Sequence, residues 1–363
     1  MIYDTITERY KAIYIGTLGI YKENEIVETH NTTPNLEIIL ETFLYAKKHN
    51  IKYIILEASS EGLLAKRLTG VKFDAVIFTN LSHEHLNTHK TMEDYFNSKK
   101  KILKLLKTNS IVISNCEDVY GRLFLETKNL NYGLHKGKVK TISFNITQYY
   151  SKVLITNNNR FYYYKIPFTG IYNIYNFLAT HALISTLFNI NDFKFNNLTP
   201  PSGRYLTIEN NIIIDFAHTP NALENLLITI KEIHKNKKII LILGAQGEKD
   251  KGKRKALGYV ACKHADFIIL TSEDPKNEPL IEIIFDISLG ITKNNYTIIL
   301  SRKYAIKKGI EILNPNSILV IVGKGLEDIE KHKYGNYKHN DYECVKKEIA
   351  EKKKGVLATP FNT

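Results

Sequence analysis

The sequence predicts an α/β protein of two domains, and three observations carry that prediction. Hydrophobic runs of strand length alternate with runs of helical period along most of the chain. Polar residues gather at the carboxyl ends of the strand-like runs, where open α/β sheets bind ligands. The paired prolines Pro200-Pro201 interrupt the alternation near the middle, because they continue neither helix nor strand.

In the first half, a strand is expected near Ile13–Gly16 and a helix over Asn35–His49. Strands are expected next at Ile51–Glu57 and Phe73–Thr79. Their cores, IKYIIL and FDAVIF, have the length and β-branched content of buried parallel strands. A helix over Met92–Leu106 and a strand at Ile111–Ser114 come next. Residues 138–168 alternate with β-branched and Tyr residues and predict antiparallel strands, and Tyr172–Phe188 is apolar at helical spacing. The stretch 191–202 is the expected linker, giving domains of 1–202 and 203–363.

The second half reads as alternating units. Strands are expected at Ile212–Asp215, Lys238–Leu243, Phe267–Thr271, Thr297–Leu300 and Ser317–Val322. Helices are expected at Pro220–His234, Lys253–His264, Pro279–Leu289, Lys303–Leu313 and Tyr342–Lys352. There are no internal repeats and no low-complexity tract.

Composition narrows the function classes. The 363 residues are enough for about two ordinary domains, and 44% hydrophobic content supports a sizeable core. Cys116, Cys262 and Cys344 are widely spaced, which argues against disulfides or a zinc site and for a reducing cytoplasm. No signal peptide and no run of membrane-spanning length is apparent. The net charge of +13 comes from scattered lysines without a nucleic-acid-binding module, which argues against nucleic acid, although an anionic small substrate would also favour a positive cleft and charge alone does not separate the two.

Three polar clusters carry the chemistry: LEASS from Leu56, TNLSHEHL from Thr79 and MEDYFNSKK from Met92. Glu57 and His85 are expected at adjacent strand ends, a carboxylate and an imidazole suited to magnesium beside phosphates. Taken with TLGIYKENEIVETHNTTPN, SGRYLTIENNIIIDFAHTPNALEN, TSEDPKNE and VGKGLE, these runs resemble the Mur ligases, in family order over nearly the whole chain. Within that family they are most similar to the branch that adds a diamino acid to UDP-MurNAc-L-Ala-D-Glu.

The resemblance implies a central ATPase-like domain, N-terminally truncated, followed by a C-terminal Rossmann-like domain. It implies ATP and Mg2+ as cofactors, with Glu57, His85 and a carbamylated Lys99 as metal ligands. Asn173, Asn176, Arg204, Asp215 and His218 correspond to nucleotide-binding positions, and Lys99, His85 and Arg204 to the catalytic set. Thr32, Thr33, Ser59 and Arg67 correspond to the muramoyl-peptide site. Lys249, Asp274, Lys276, Gly323 and Glu327 correspond to the amino-acid site. There, Lys249 and Lys276 stand in place of two arginines, keeping the charge but not the bidentate fork, so diaminopimelate is favoured with L-lysine still open.

Several positions depart from the family pattern: His83 and Glu84 replace Arg and Asp, Glu61 replaces His, and Leu326 replaces His. The family's P-loop lies about one helix upstream of the TLG segment, and Met1 is expected to fall inside that helix. Gly247–Arg254 mimics a P-loop but has Arg where the hydroxyl belongs, and it reads as a decoy. The chain alone is therefore expected to ligate poorly unless a separate polypeptide supplies the P-loop. The expected partners are UDP-MurNAc-dipeptide and a diamino acid, acting on a cytoplasmic monomer away from membranes. The rival readings are a non-catalytic or fragmentary Mur-like binding protein and a folylpolyglutamate-synthase-like or cyanophycin-type ligase.

Overall fold

A computed structural model describes residues 1–23, 25–82, 88–124, 130–195, 197–200 and 203–357. The chain divides into two units between Thr199 and Pro200. No helix among the described residues is long and apolar enough to cross a membrane.

The first unit opens with α1 (Ile2–Thr7), β1 (Ala12–Gly16), β2 (Gly19–Lys22), β3 (Glu25–Val27), α2 (Leu36–Lys48), β4 (Tyr53–Leu56) and α3 (Ser60–Leu64). It continues through β5 (Phe73–Phe78), α4 (Met92–Lys100), β6 (Leu106–Asn115), α5 (Val119–Phe124) and β7 (Leu130–Gly133). The antiparallel run β8 (Val139–Ile146), β9 (Ser151–Asn157) and β10 (Arg160–Ile166) leads to α6 (Ile171–Leu187).

These strands form two sheets, ordered β3-β2-β1-β4 and β10-β9-β8-β7-β6-β5. This corrects one expectation. The sequence reading puts Glu57 at a strand end adjacent to that of the next strand, but β4 and β5 are the edges of different sheets with no ladder between them. A shared core aligns them instead: Tyr53 and Ile55 of β4 and Ala75 and Ile77 of β5 pack on the cluster centred on α6. Both strands are half-buried rather than fully buried.

Two further boundaries differ from the sequence reading. The helix from Met92 ends as α-helix at Lys100 and finishes in a 3-10 turn over Lys101–Leu105. The next strand begins at Leu106, five residues before the expected Ile111. Its polar start, LKTNS, hides the strand signal, and an irregularity in pairing between Phe73 and Ala75 absorbs the extra length.

The second unit comprises β11 (Leu206–Ile208), β12 (Ile212–Asp215), α7 (Pro220–Ile233), β13 (Lys238–Leu243), α8 (Gly252–His264), β14 (Phe267–Leu270) and α9 (Leu280–Ser288). It ends with β15 (Tyr296–Ile298), α10 (Arg302–Ile312), β16 (Ser317–Val322), the hairpin β17 (Ile329–His332) and β18 (Gly335–Lys338), and α11 (Asp341–Leu357). The main sheet runs β11-β12-β16-β13-β14-β15, parallel except for β11.

Period-two alternation splits its apolar residues between two cores. Ile213, Leu241, Ile268 and Val320 share one core with Leu226 and Leu227 of α7 and Ile283 of α9. Ile212, Ile240, Ile269 and Leu319 share the other with Ile306 of α10 and Val345 of α11. Because the central strands are parallel, Asp215, Thr271 and Gly323 leave the sheet at the same edge.

Candidate functional site

The polar groups of the first unit converge where β1 and β4 end. Glu57 comes directly after β4, and its Oε2 accepts from the Thr17 amide at 3.0 Å and the Thr17 hydroxyl at 2.9 Å. Tyr14 also hydrogen-bonds this carboxylate, and burial together with Glu57 raises the phenol pKa. A Cβ at Gly16 would meet the Tyr14 ring and the Glu57 carboxyl group, so a larger residue there would displace those side chains.

The expected muramoyl-peptide residues belong to the same network. Thr32 Oγ1 lies 3.0 Å from Thr17 Oγ1. Thr33 is fully buried; its hydroxyl donates to the Glu57 carbonyl at 2.9 Å and accepts from the Ser59 amide at 2.8 Å. Arg67 donates to the Thr33 carbonyl at 2.9 Å. Ser59 caps α3 through the Gly62 amide. Hydrogen bonds thus fix these residues relative to one another and to Glu57.

Helix α4 approaches the same strand exit. Thr91 caps it, accepting from the Asp94 amide and donating to the Asp94 carboxylate. Lys99, half-buried near its end, donates to the Ala58 carbonyl at 3.1 Å. His89, stacked on Tyr95, reaches Ser60 Oγ at 2.9 Å, and Ser98 donates to the Ser60 carbonyl. His85 lies outside the described residues. Among the described residues no cluster of three or more His, Cys, Asp or Glu side chains could hold a metal. Glu57 offers an oriented carboxylate, and Lys99 would fit magnesium only after its charge is reversed.

The two asparagines of α6 have different surroundings. Asn173 is buried with its amide donated to the Thr169 carbonyl at 2.8 Å, whereas Asn176 is exposed.

In the second unit, Asp215 is 4% exposed and accepts from the amides of Tyr205 at 2.8 Å and Ala217 at 2.7 Å. Burial raises its pKa, and those amides and Arg204 act in the opposite direction. Arg204 is exposed with its guanidinium 5.6 Å above the Phe216 ring. His218 Nδ1 lies 2.8 Å from the Phe216 carbonyl.

Of the residues expected at the amino-acid site, Asp274, Lys276 and Glu327 are joined by hydrogen bonds beyond the sheet edge. Asp274, buried and with φ of 45°, accepts at Oδ1 from Lys324 Nζ at 2.7 Å and from the Lys331 amide at 3.0 Å. Lys324 also reaches Glu327 at 3.0 Å. The Lys276 amide donates to the Lys331 carbonyl, and the Gly247 amide to the Asp274 carbonyl. Lys249 is exposed and Lys276 half-buried. Gly323 has φ of 106°, and a Cβ there would strike the Glu273 carboxylate.

Sequence reasoning missed Thr17, Tyr14, Lys324 and Glu273. Glu273 is 1% exposed, neither carboxylate oxygen has a hydrogen-bond partner among the described residues, and burial raises its pKa against the pull of Arg302, His218, Lys253 and Lys324. The TSEDPKNE run contained it; nothing in the pattern marked it as buried.

The P-loop-like stretch 247–254 is directed at an internal anion. Arg254, fully buried, forks onto Glu278 at 2.7 and 2.8 Å and reaches Asp286 at 3.0 Å. Lys251 and the Glu248 amide also reach Glu278. Those donors depress the Glu278 pKa, with Arg254 the largest cause.

Residues 1–184 match the Mur ligase middle domain, and residues 203–325 match the Mur ligase glutamate ligase domain. The chain belongs to the Mur ligase family. It is homologous to UDP-N-acetylmuramoyl-L-alanyl-D-glutamate–2,6-diaminopimelate ligases. It is 32% identical to the one from Clostridium botulinum, over 94% of this chain and 73% of that protein. Against the Aquifex aeolicus ligase it is 34% identical, over 92% and 70%.

A solved ligase of the same description superposes with a TM-score of 0.65 at 25% identity, covering 96% of this Mur ligase and 74% of the other chain. MurF from Thermotoga maritima, solved with ADP, gives 0.69 at 14% identity over 97% and 77%, a likeness of fold. The fold is thus that of a Mur ligase, with a central ATPase-like domain and a C-terminal Rossmann-like domain.

Proposed function

We propose that this chain is an ATP-dependent ligase of peptidoglycan precursor synthesis, joining diaminopimelate to UDP-MurNAc-L-Ala-D-Glu. The observation that carries the reading is the junction at the ends of β1 and β4. There Glu57, oriented by Thr17, shares one hydrogen-bonded network with Thr32, Thr33 and Ser59, while Lys99 approaches through Ala58. Membership of the Mur ligase family supports reading that network as part of the reaction site.

In this reading, domains 1–202 and 203–363 contribute separate halves of the chemistry, in a cytoplasmic monomer. Thr32, Thr33, Ser59 and Arg67 seat the peptide nucleotide so that its γ-carboxylate faces ATP. His85 joins Glu57 and a carbamylated Lys99 as the metal-binding set. Bound magnesium would supply charge neutralisation for the phosphates. Asn173, Asn176, Asp215 and His218 hold the nucleotide. Arg204 offers a fork of donors to the phosphoryl group as the carboxylate attacks the γ-phosphorus and ADP leaves. The amine of the diamino acid, held near Lys249, Asp274, Lys276, Gly323 and Glu327, then attacks the acyl phosphate and phosphate departs.

The test is ADP release by this chain with ATP, Mg2+, UDP-MurNAc-dipeptide and diaminopimelate, with the tripeptide product identified by mass. Product dependent on all three substrates, from the chain alone or with a polypeptide that supplies a P-loop, is the expected result. Binding of the substrates without ADP release in either case would favour a non-catalytic binding protein, and binding of none would overturn the reading.

A further inference from the structure

We propose that Arg302 is a positioning residue that fixes the amino-acid end of the site by tying together the exits of two strands that do not touch. Arg302 is the first residue of α10 and is 1% exposed. Its guanidinium donates to the Ser272 carbonyl at 3.2 Å and to the Val322 carbonyl at 2.7 Å. Ser272 lies just beyond β14 and Val322 ends β16, and β13 lies between those strands in the sheet. One side chain thus bridges the exits past the end of the intervening strand.

The residues just beyond the two carbonyls give the bridge its meaning. Ser272 leads into Glu273 and Asp274, and Val322 into Gly323 and Lys324. Asp274 and Lys324 then meet at 2.7 Å. The separation of the two strand exits sets the geometry of this ion pair.

Arg302 is itself held. Asp341, fully buried at the start of α11, accepts from its Nε at 2.8 Å and from its terminal nitrogen at 2.7 Å. His339 Nε2 lies 2.7 Å from the same carboxylate. A planar fork can serve one carboxylate and two carbonyls together, whereas an ammonium cannot reproduce that directionality. That this end receives the diamino acid rests on the ligase reading above; the bridge does not.

The test compares the full chain with Arg302→Lys and with Asp341→Asn, the second retaining volume should the first fold poorly. Amide exchange is read at Gly323, which donates to the Asp215 carbonyl, and at Lys331, which donates to Asp274. Exchange at both is expected to rise by about tenfold, while Ile240 and Ile269 in the sheet core keep their rates. The KM for diaminopimelate is expected to rise by about fivefold, with kcat and the KM for ATP held within about twofold. Unchanged exchange at Gly323 and Lys331 in both variants overturns the proposal whatever the kinetics, as does uniform loosening of the whole sheet. A wild-type chain without amino-acid-dependent turnover defeats the ligase reading alone, since exchange still decides the role of Arg302.

Discussion

The Lys99 ammonium lies 3.1 Å from the carbonyl oxygen of Ala58, the residue after Glu57. A lysine in that position brings a positive charge toward the place proposed for magnesium, where it would be repelled. Reaction with carbon dioxide converts it to an anion. Chain equilibrated with 13C-bicarbonate should show a carbamate resonance that Lys99→Arg lacks, and ligation by that variant should fall by about 10²- to 10³-fold. Wild-type activity in Lys99→Arg would remove the lysine from the chemistry.

Thr17 supplies two donors to one oxygen of Glu57, and Thr17→Val removes the hydroxyl while leaving the amide. The loss of one such bond is about 1 kcal/mol. The Mg2+ concentration giving half-maximal ADP release should rise by roughly fivefold, by that same conversion. Glu57→Ala should abolish ADP release across the same Mg2+ range. A midpoint unmoved in both variants would place the metal elsewhere.

Glu278 holds a fully buried Arg254. Glu278→Gln should destabilise the chain by about 3–5 kcal/mol in urea unfolding, because it strips the fork from a buried charge. Lys251→Ala removes only a solvent-facing partner and should cost under about 1 kcal/mol. Neither change should move the KM for ATP more than about twofold if the loop serves an internal carboxylate. A large rise in that KM would restore the loop as a phosphate cradle.

The His339 imidazolium is held by Asp341. Burial works to lower its pKa, but Asp341 and Cys344 prevail against burial and Arg302, and it is pushed up to about 9 from 6.5. Its contribution to stability is fully present below the unfolded value of 6.5 and is lost as pH rises through about 9. Asp341 runs the other way. Burial raises its pKa but Arg302 and His339 outweigh that, holding it at about 2. Its contribution is present above 3.8 and lost as pH falls toward 2. Thermal unfolding measured from pH 6 to about 10 should show a falling Tm that His339→Gln flattens; parallel curves for the two proteins would exclude the imidazolium.

Lys249 and Lys276 carry charge without a planar fork. Changing both to Arg should raise the ratio of kcat/KM for diaminopimelate over L-lysine by the equivalent of about 1–3 kcal/mol. An unchanged ratio would mean that these lysines do not touch the substrate.

The second unit was legible in the sequence almost strand by strand, because its central strands are buried on both faces and read as continuous apolar runs such as Lys238–Leu243 and Ser317–Val322. The first unit was harder. The short hairpin of Gly19–Lys22 and Glu25–Val27 has too few residues for a periodic signal, and β6 starts on polar residues. At the site, motif residues such as Glu57 and Ser59 were visible as polar breaks after strands. Thr17 stood in the TLG run without a role, and Arg302 and Asp341 were unmarked, because each acts through a partner 39 or more positions away. Linear spacing carries no trace of such pairs.

Lys324 already stands between Asp274 and Glu327. A diamino acid presenting its distal ammonium to Glu327 therefore meets a carboxylate that has a resident counter-ion. In the ligase reading proposed above, recognition there is an exchange of cations, and its free energy is the difference between two ion pairs rather than the worth of one. Charge alone then discriminates weakly, so the preference among amines of different length falls to reach and angle.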